Sequence, residues 1–142
     1  MYPDIDYLHV GEMGDATDAL IAQIDRDASR PRAQQRFTTG ERLPLGDFPI
    51  PAYHLLRLGN YLIGSIQFSS GCPYRCEFCD IPITFGRKPR LKTSTQVITE
   101  LEALRKQRVQ IVFIVDDNLI GTRNPMKQLL RDIAAWQGAE GY

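Results

Sequence analysis

The sequence predicts an α/β fold: two successive strand-helix units of a parallel sheet, preceded by a proline-rich arm and by the end of another α/β unit. Three observations predict it. Short aliphatic and β-branched runs alternate with stretches whose apolar residues recur at helical spacing, the pattern of parallel sheets with crossover helices. The helical stretches open on residues that cap helices. Between the first unit and the later ones lies a stretch crowded with proline and glycine that sustains no period.

In chain order, Asp6–Val10 reads as a short strand and Gly11-Glu12-Met13-Gly14-Asp15 as a glycine-bearing turn. Ala16, Leu20 and Ile24 then recur at four-residue spacing, Ala19 widens the stripe, and Asp15 stands as N-cap, so a helix follows. Ser29 to Pro51 contains Pro31, Gly40, Pro44, Gly46, Pro49 and Pro51 and reads as an extended linker, with Leu45 to Leu56 apolar enough to lie along a surface. Tyr61–Ser69 has the content of a strand. Thr93-Ser-Thr-Gln96 resembles a capping box, and Val97, Ile98, Leu101 and Leu104 give the stripe of the helix it opens. Ile111–Val115 is a continuous apolar run, as in a parallel strand buried on both faces, and it stops at Asp116-Asp117-Asn118. The final helix is predicted from Asn124 as N-cap and Pro125 at the first helical position, through Leu129, Leu130 and Ile133 to Gly138.

Composition excludes several classes. Lysine plus arginine and aspartate plus glutamate number 17 each, so no net field draws in nucleic acid or an anionic membrane. With 142 residues, 43% of them apolar, the chain can bury a core. No run approaches the roughly 18 apolar residues of a membrane span. The start, Met1-Tyr-Pro-Asp-Ile-Asp, lacks the basic and apolar parts of a signal peptide, so a cytoplasmic location is expected. The chain opens on a polar turn and stops at Gly141-Tyr142 in what reads as a connection, so it is expected to be an internal piece of a longer protein.

The three cysteines fall within eight residues, Cys72-Pro-Tyr-Arg-Cys76-Glu-Phe-Cys79, directly behind the Tyr61–Ser69 strand. An odd, clustered set suits metal binding in a reducing compartment better than a disulfide framework. Thiolates are the usual ligands of iron-sulfur clusters, and so short a loop can wrap one corner of a cluster without supplying a fourth ligand. Ligands in parallel α/β folds gather at the C-terminal ends of the strands. The cysteine loop and Asp116-Asp117-Asn118 occupy those ends on successive strands, so the two polar features converge on one mouth.

Cys72-x-x-x-Cys76-x-x-Cys79, with Phe78 before the last cysteine and a strand in front, resembles the radical S-adenosylmethionine (SAM) superfamily. The resemblance implies a partial parallel (β/α) radical SAM barrel in which Cys72, Cys76 and Cys79 bind a 4Fe-4S cluster. SAM would chelate the fourth iron, and its reductive cleavage would give a deoxyadenosyl radical, with an electron donor such as flavodoxin or ferredoxin. Phe78 would pack near the adenine, and Asp116, Asp117 and Asn118 are candidates for the SAM ammonium. They stand where many members carry Gly-Gly-Glu, which leaves the individual contacts open. Arg90, in Phe85-Gly-Arg-Lys-Pro-Arg90, is a candidate for a carboxylate of SAM or substrate.

A narrower resemblance spans nearly the whole chain. Gly11-Glu12 after a strand, the proline-rich arm, Ser69 to Asp80, Phe85 to Arg90 and Val115 to Gly121 look like the cobalamin-dependent branch, several of whose members methylate unactivated carbon. On this reading residues 1–28 are the tail of a cobalamin-binding domain, 29–59 a linker arm and 60–142 the start of the radical SAM domain. Gly11 and Glu12 either touch cobalamin or merely turn the chain; no Asp-x-His-x-x-Gly cobalamin-ligating motif is present. The resemblance implies a small-molecule or lipid substrate.

Other readings stay open. Structural zinc could use the three cysteines with His9 or His54, giving an interaction module without catalysis. Asp116-Asp117-Asn118 could simply cap the following turn, and Arg87, Lys88 and Arg90 could form a solvated face. Methylthiolation or ring rearrangement could replace methylation. Two strands and two helices cannot seal a cavity against water, so these 142 residues alone are expected to hold a cluster without turnover.

Overall fold

A computed structural model describes residues 4–140. The two chain ends invoked above, at residues 1–3 and 141–142, lie outside that range. The described residues divide into two compact units, one ending at Leu43 and the other beginning at Pro44.

In the first unit, strand β1 (Tyr7–Val10) leads through a turn into helix α1 (Asp15–Arg26) and then into strand β2 (Gln35–Thr38). β1 and β2 pair in parallel, Tyr7 against Gln35 through Val10 against Thr38. β2 lies in the stretch read as linker. Its four residues are too few and too polar to show the alternation that betrays a strand, and the pairing with β1 supplies what the local pattern lacks. Asp15 is the first helical residue rather than the N-cap. Gly14 takes the cap position, and its N–H donates to Thr17 Oγ1 at 3.0 Å. Only Ala16 of the helical stripe is buried, while Ile21 and Ile24 are exposed.

The second unit carries its core between a two-stranded sheet and two helices. β3 (Gly64–Ile66) and β6 (Val112–Ile114) pair in parallel, Gly64 opposite Val112 and Ile66 opposite Ile114. Between them the chain forms β4 (Ser69–Ser70), a single-turn helix α2 (Ile81–Thr84), β5 (Arg90–Leu91), antiparallel to β4, and helix α3 (Ser94–Lys106). The predicted Tyr61–Ser69 strand is thus broken into two short pieces. Gly64 sits at a close approach, since a Cβ there would lie 3.0 Å from Val109 Cγ1 and 3.2 Å from Leu104 Cδ1 and both side chains would have to give way.

Thr93 and Gln96 form the expected capping box: Gln96 N donates to Thr93 Oγ1 at 3.2 Å and Thr93 N to Gln96 Oε1 at 2.9 Å. Val97 and Leu104 of α3 and Leu129 of α4 (Arg123–Glu140) are fully buried, packed with Ile66, Phe68 and Tyr53. Each such aliphatic side chain contributes about 1.5–3 kcal/mol. α4 begins at Arg123, directly after a 3₁₀ turn at Leu119–Thr122, so Asn124 is helical rather than the N-cap.

The apolar run before Asp116 is buried on one face only. Val112 and Ile114 pack against the core cluster, while Ile111, Phe113 and Val115, pointing the other way by strand alternation, are 60%, 59% and 46% exposed. A two-stranded sheet with helices on one side leaves its other face uncovered.

Candidate functional site

The cysteine loop leaves the β3–β4 segment and is held from behind by the end of β6. Asp116 follows the β6 run and turns its carboxylate onto the backbone ahead of the loop. Its Oδ1 accepts from Phe68 N at 2.7 Å, and its Oδ2 accepts from Ser69 N at 2.9 Å and from Ser69 Oγ at 2.6 Å. Asp117 Oδ2 accepts from Gly71 N at 2.7 Å. Asn118 Nδ2 donates to Cys72 Sγ at 3.6 Å. Carboxylate acceptors on backbone N–H groups are charge-assisted and about twice as strong as neutral pairs. The strand end therefore acts as a clamp on residues 68–72.

A second clamp comes from the loop's far side. Cys72 N donates to Gly86 O at 3.1 Å, and Arg87 Nη2 donates to Pro73 O at 3.2 Å. Gly71 sits at φ +93°, and a Cβ there would come within 2.9 Å of Gly86 O, so the passage admits glycine alone without displacement. Cys79 N closes a turn on Cys76 O at 3.1 Å.

All three thiols are free, with Cys72 buried, Cys79 half-buried and Cys76 exposed. Among the described residues no three His, Cys, Asp or Glu side chains gather tightly enough to hold a single metal ion. A cluster takes its thiolates on separate irons, so three unpaired thiols spread along one loop fit that donor set. The two histidines have surroundings of their own. His9 Nε2 lies 3.3 Å from Thr17 Oγ1 and 3.4 Å from Thr39 Oγ1 in the first unit, and His54 is an exposed residue of the arm.

The other candidate residues divide. Phe78 is 94% exposed, its ring open to a flat partner. Arg90 is engaged within the chain, donating from Nη2 to Ser70 Oγ at 3.2 Å, which places it behind the loop. Gly11, at φ +106°, makes the turn after β1, and Glu12 pairs with Arg42 Nε at 2.9 Å while its carbonyl accepts from Thr39 Oγ1 at 2.6 Å. Gly11 and Glu12 thus make the turn that follows β1 in the first unit.

One pair escaped the sequence reading. Lys92 Nζ lies 2.6 Å from Glu100 Oε1, with side chains only 6% and 3% exposed, and Glu100 Oε2 has no protein partner. The signal was available: Glu100 falls on the same face of α3 as Val97 and Leu104, and a carboxylate within an apolar stripe calls for a buried cation. Burial, then the charge of Glu100, raises the Tyr53 phenol to about 12, and its hydroxyl donates to Ser65 O at 3.1 Å.

The comparisons with known proteins decide the family. A hopanoid C-2 methylase of Rhodopseudomonas palustris is 54% identical over 142 residues, covering 99% of this chain and 27% of that protein. The chain belongs to the cobalamin-dependent radical SAM methylase family. A hopanoid C-3 methylase of Methylococcus capsulatus is 36% identical over 91 residues, 56% of this chain and 17% of that protein. Among solved structures, a radical SAM methyltransferase, TsrM, from Kitasatospora setae with cobalamin and a 4Fe-4S cluster bound superposes with a TM-score of 0.55 at 29% identity, covering 58% of this chain and 15% of that one. No family model matches. This radical SAM chain thus spans about a quarter or less of the length of the relatives it matches. Among its described residues no helix is long and apolar enough to cross a membrane.

Proposed function

We propose that this chain is the cluster-bearing part of a cobalamin-dependent radical SAM methylase that adds a methyl group to carbon 2 of a hopanoid lipid. The observation that carries the reading is the 54% identity to a hopanoid C-2 methylase sustained over nearly the whole chain, with the cysteine loop clamped at the C-terminal end of a parallel strand pair. Cys72, Cys76 and Cys79 would hold a 4Fe-4S cluster, and the tail of the cobalamin-binding domain, drawn at residue 28 from the sequence, would extend to Leu43 where the first unit ends, followed by the arm. When bound, the cluster and SAM supply one-electron cleavage of a carbon-sulfur bond, and cobalamin supplies methyl transfer.

The chain's own residues position that chemistry. Asp116 and Asp117 hold the backbone of residues 68–71, which fixes the direction in which Cys72 presents its sulfur. Phe78, exposed beside Cys79, would stack on the adenine of SAM. Because Asp116 is committed to three donors, the SAM ammonium would be left to Asp117 or to backbone carbonyls of the same strand end.

The test is anaerobic reconstitution of the protein with iron and sulfide. Metal analysis and electron paramagnetic resonance after reduction should show a 4Fe-4S cluster whose signal changes when SAM is added. In a full-length protein that contains this chain, incubation with methyl-labelled SAM, cobalamin and a desmethyl hopanoid should yield a labelled C-2 product, whereas these 142 residues alone should not turn over. Stoichiometric zinc without iron, or a cluster indifferent to SAM, would defeat the proposal; label at another carbon would move the substrate site and spare the cluster.

A further inference from the structure

We infer that Asn118 sets the reduction potential of the cluster by donating a hydrogen bond to the sulfur of Cys72, an inference that rests on the cluster reading above. Within Asp116-Asp117-Asn118 the first two side chains accept hydrogen bonds, and Asn118 donates one to a candidate iron ligand, Nδ2 to Sγ at 3.6 Å. A thiolate has no proton to give, so an amide facing it must present its N–H rather than its oxygen. Nitrogen-to-sulfur bonds of this length are ordinary, since sulfur is larger and more diffuse than oxygen.

The donor is held in place. The Asn118 carbonyl accepts from Gly121 N at 3.0 Å, so the backbone of Asn118 is tied into the 3₁₀ turn that follows. A Cβ at Gly121 would stand 3.5 Å from both Asn118 Cγ and Pro73 Cδ, which shows how closely the turn packs against the amide and the cysteine loop. On the acceptor side, Gly71 N is bound by Asp117 and Cys72 N by Gly86 O, so the backbone on either side of the Gly71–Cys72 peptide is fixed.

Location gives the contact its leverage. Cys72 is 9% exposed, buried where Cys76 is open to solvent, so water competes least for its sulfur. When the cluster takes up one electron, negative charge on its ligand sulfurs grows, and a fixed N–H donor stabilises the reduced state more than the oxidised one. Hydrogen bonds to the sulfurs are among the factors that set cluster potentials. The Asn118 amide therefore raises the potential, in the direction opposite to the carboxylates of Asp116 and Asp117 beside it.

The experiment is a potentiometric titration of the anaerobically reconstituted protein with dithionite, followed by electron paramagnetic resonance. Asn118→Leu removes the donor at similar volume. Its cluster should be harder to reduce by about tenfold in the one-electron equilibrium, or about 59 mV lower in midpoint potential, at unchanged iron content. An unchanged or higher midpoint in a fully loaded variant overturns the inference and leaves the cluster reading standing. If Asn118→Leu fails to load, Asn118→Ala is titrated in its place, and loss of iron from both shows a contact that only builds the loop, which also overturns it. Wild-type protein that takes up no iron overturns the cluster reading itself and the inference with it.

Discussion

Replacing Asp116 with alanine should destabilise the second unit by about 2–6 kcal/mol. The magnitude follows from what the carboxylate does: it satisfies the backbone N–H groups of Phe68 and Ser69, residues 2% and 1% exposed, together with the Ser69 hydroxyl. A buried donor left without an acceptor costs about 1–3 kcal/mol, and burial this deep keeps replacement water away. Two stranded amides therefore account for the range, a large share of the 5–15 kcal/mol typical of a whole domain. Asp116→Asn keeps one acceptor oxygen but aims an NH₂ at a backbone donor, so it should lose roughly half as much. Trp136, the single tryptophan, lies in α4 within this unit, so urea unfolding followed by its fluorescence reads the right part of the chain. A cost below about 1 kcal/mol for the alanine variant, or identical losses for alanine and asparagine, would refute the clamp.

Further expectations concern the surroundings of the site. Lys92→Met should cost about 3–5 kcal/mol by stranding the Glu100 carboxylate, whereas Lys92→Met with Glu100→Leu should recover most of it; additive losses in denaturant would contradict the pairing. Gly71→Ala should destabilise by about 1–2 kcal/mol for its positive φ alone and should lower iron retention, because the new methyl meets Gly86 O; unchanged iron content would show that the loop shifts freely. Tyr53 has a phenol pKa raised to about 12 in the fold from an ordinary value near 10, so its protonated form is the one the fold favours. Its contribution is fully present below about pH 10 and is lost as pH rises through about 12. Tyr53→Phe should flatten that alkaline decline, and a decline of the same slope in the variant, read at Trp136, would assign it to another group. Thr93→Ala should cost about 0.5–2 kcal/mol by removing the cap on α3, with a thermal scan as the check.

How far the sequence carries depends on how local each feature is. The capping box of Thr93 and Gln96 and the stripe of α3 were legible because a helix is built from contacts four residues apart. Asp15 and Asn124, assigned as N-caps, lie inside helices that begin at Asp15 and Arg123, since a glycine or a 3₁₀ turn can take over the cap without altering the apolar period. β2 was missed because a strand of four residues is defined by its partner, here 28 positions away in register with Tyr7. The run at Ile111–Val115 reads as buried on both faces, yet one face lies open because that burial requires strands and helices from beyond a two-stranded sheet.

The proposed ligand set was legible in the sequence alone: thiol chemistry and the intervals between Cys72, Cys76 and Cys79 do not depend on the rest of the fold. The tertiary structure alone decided the work of Asp116, Asp117 and Asn118, whose partners lie 46 to 48 positions earlier in the chain. A carboxylate at a strand end can meet solvent, a ligand or a backbone donor with the same local sequence. Which of these it meets is set only when the neighbouring strand arrives.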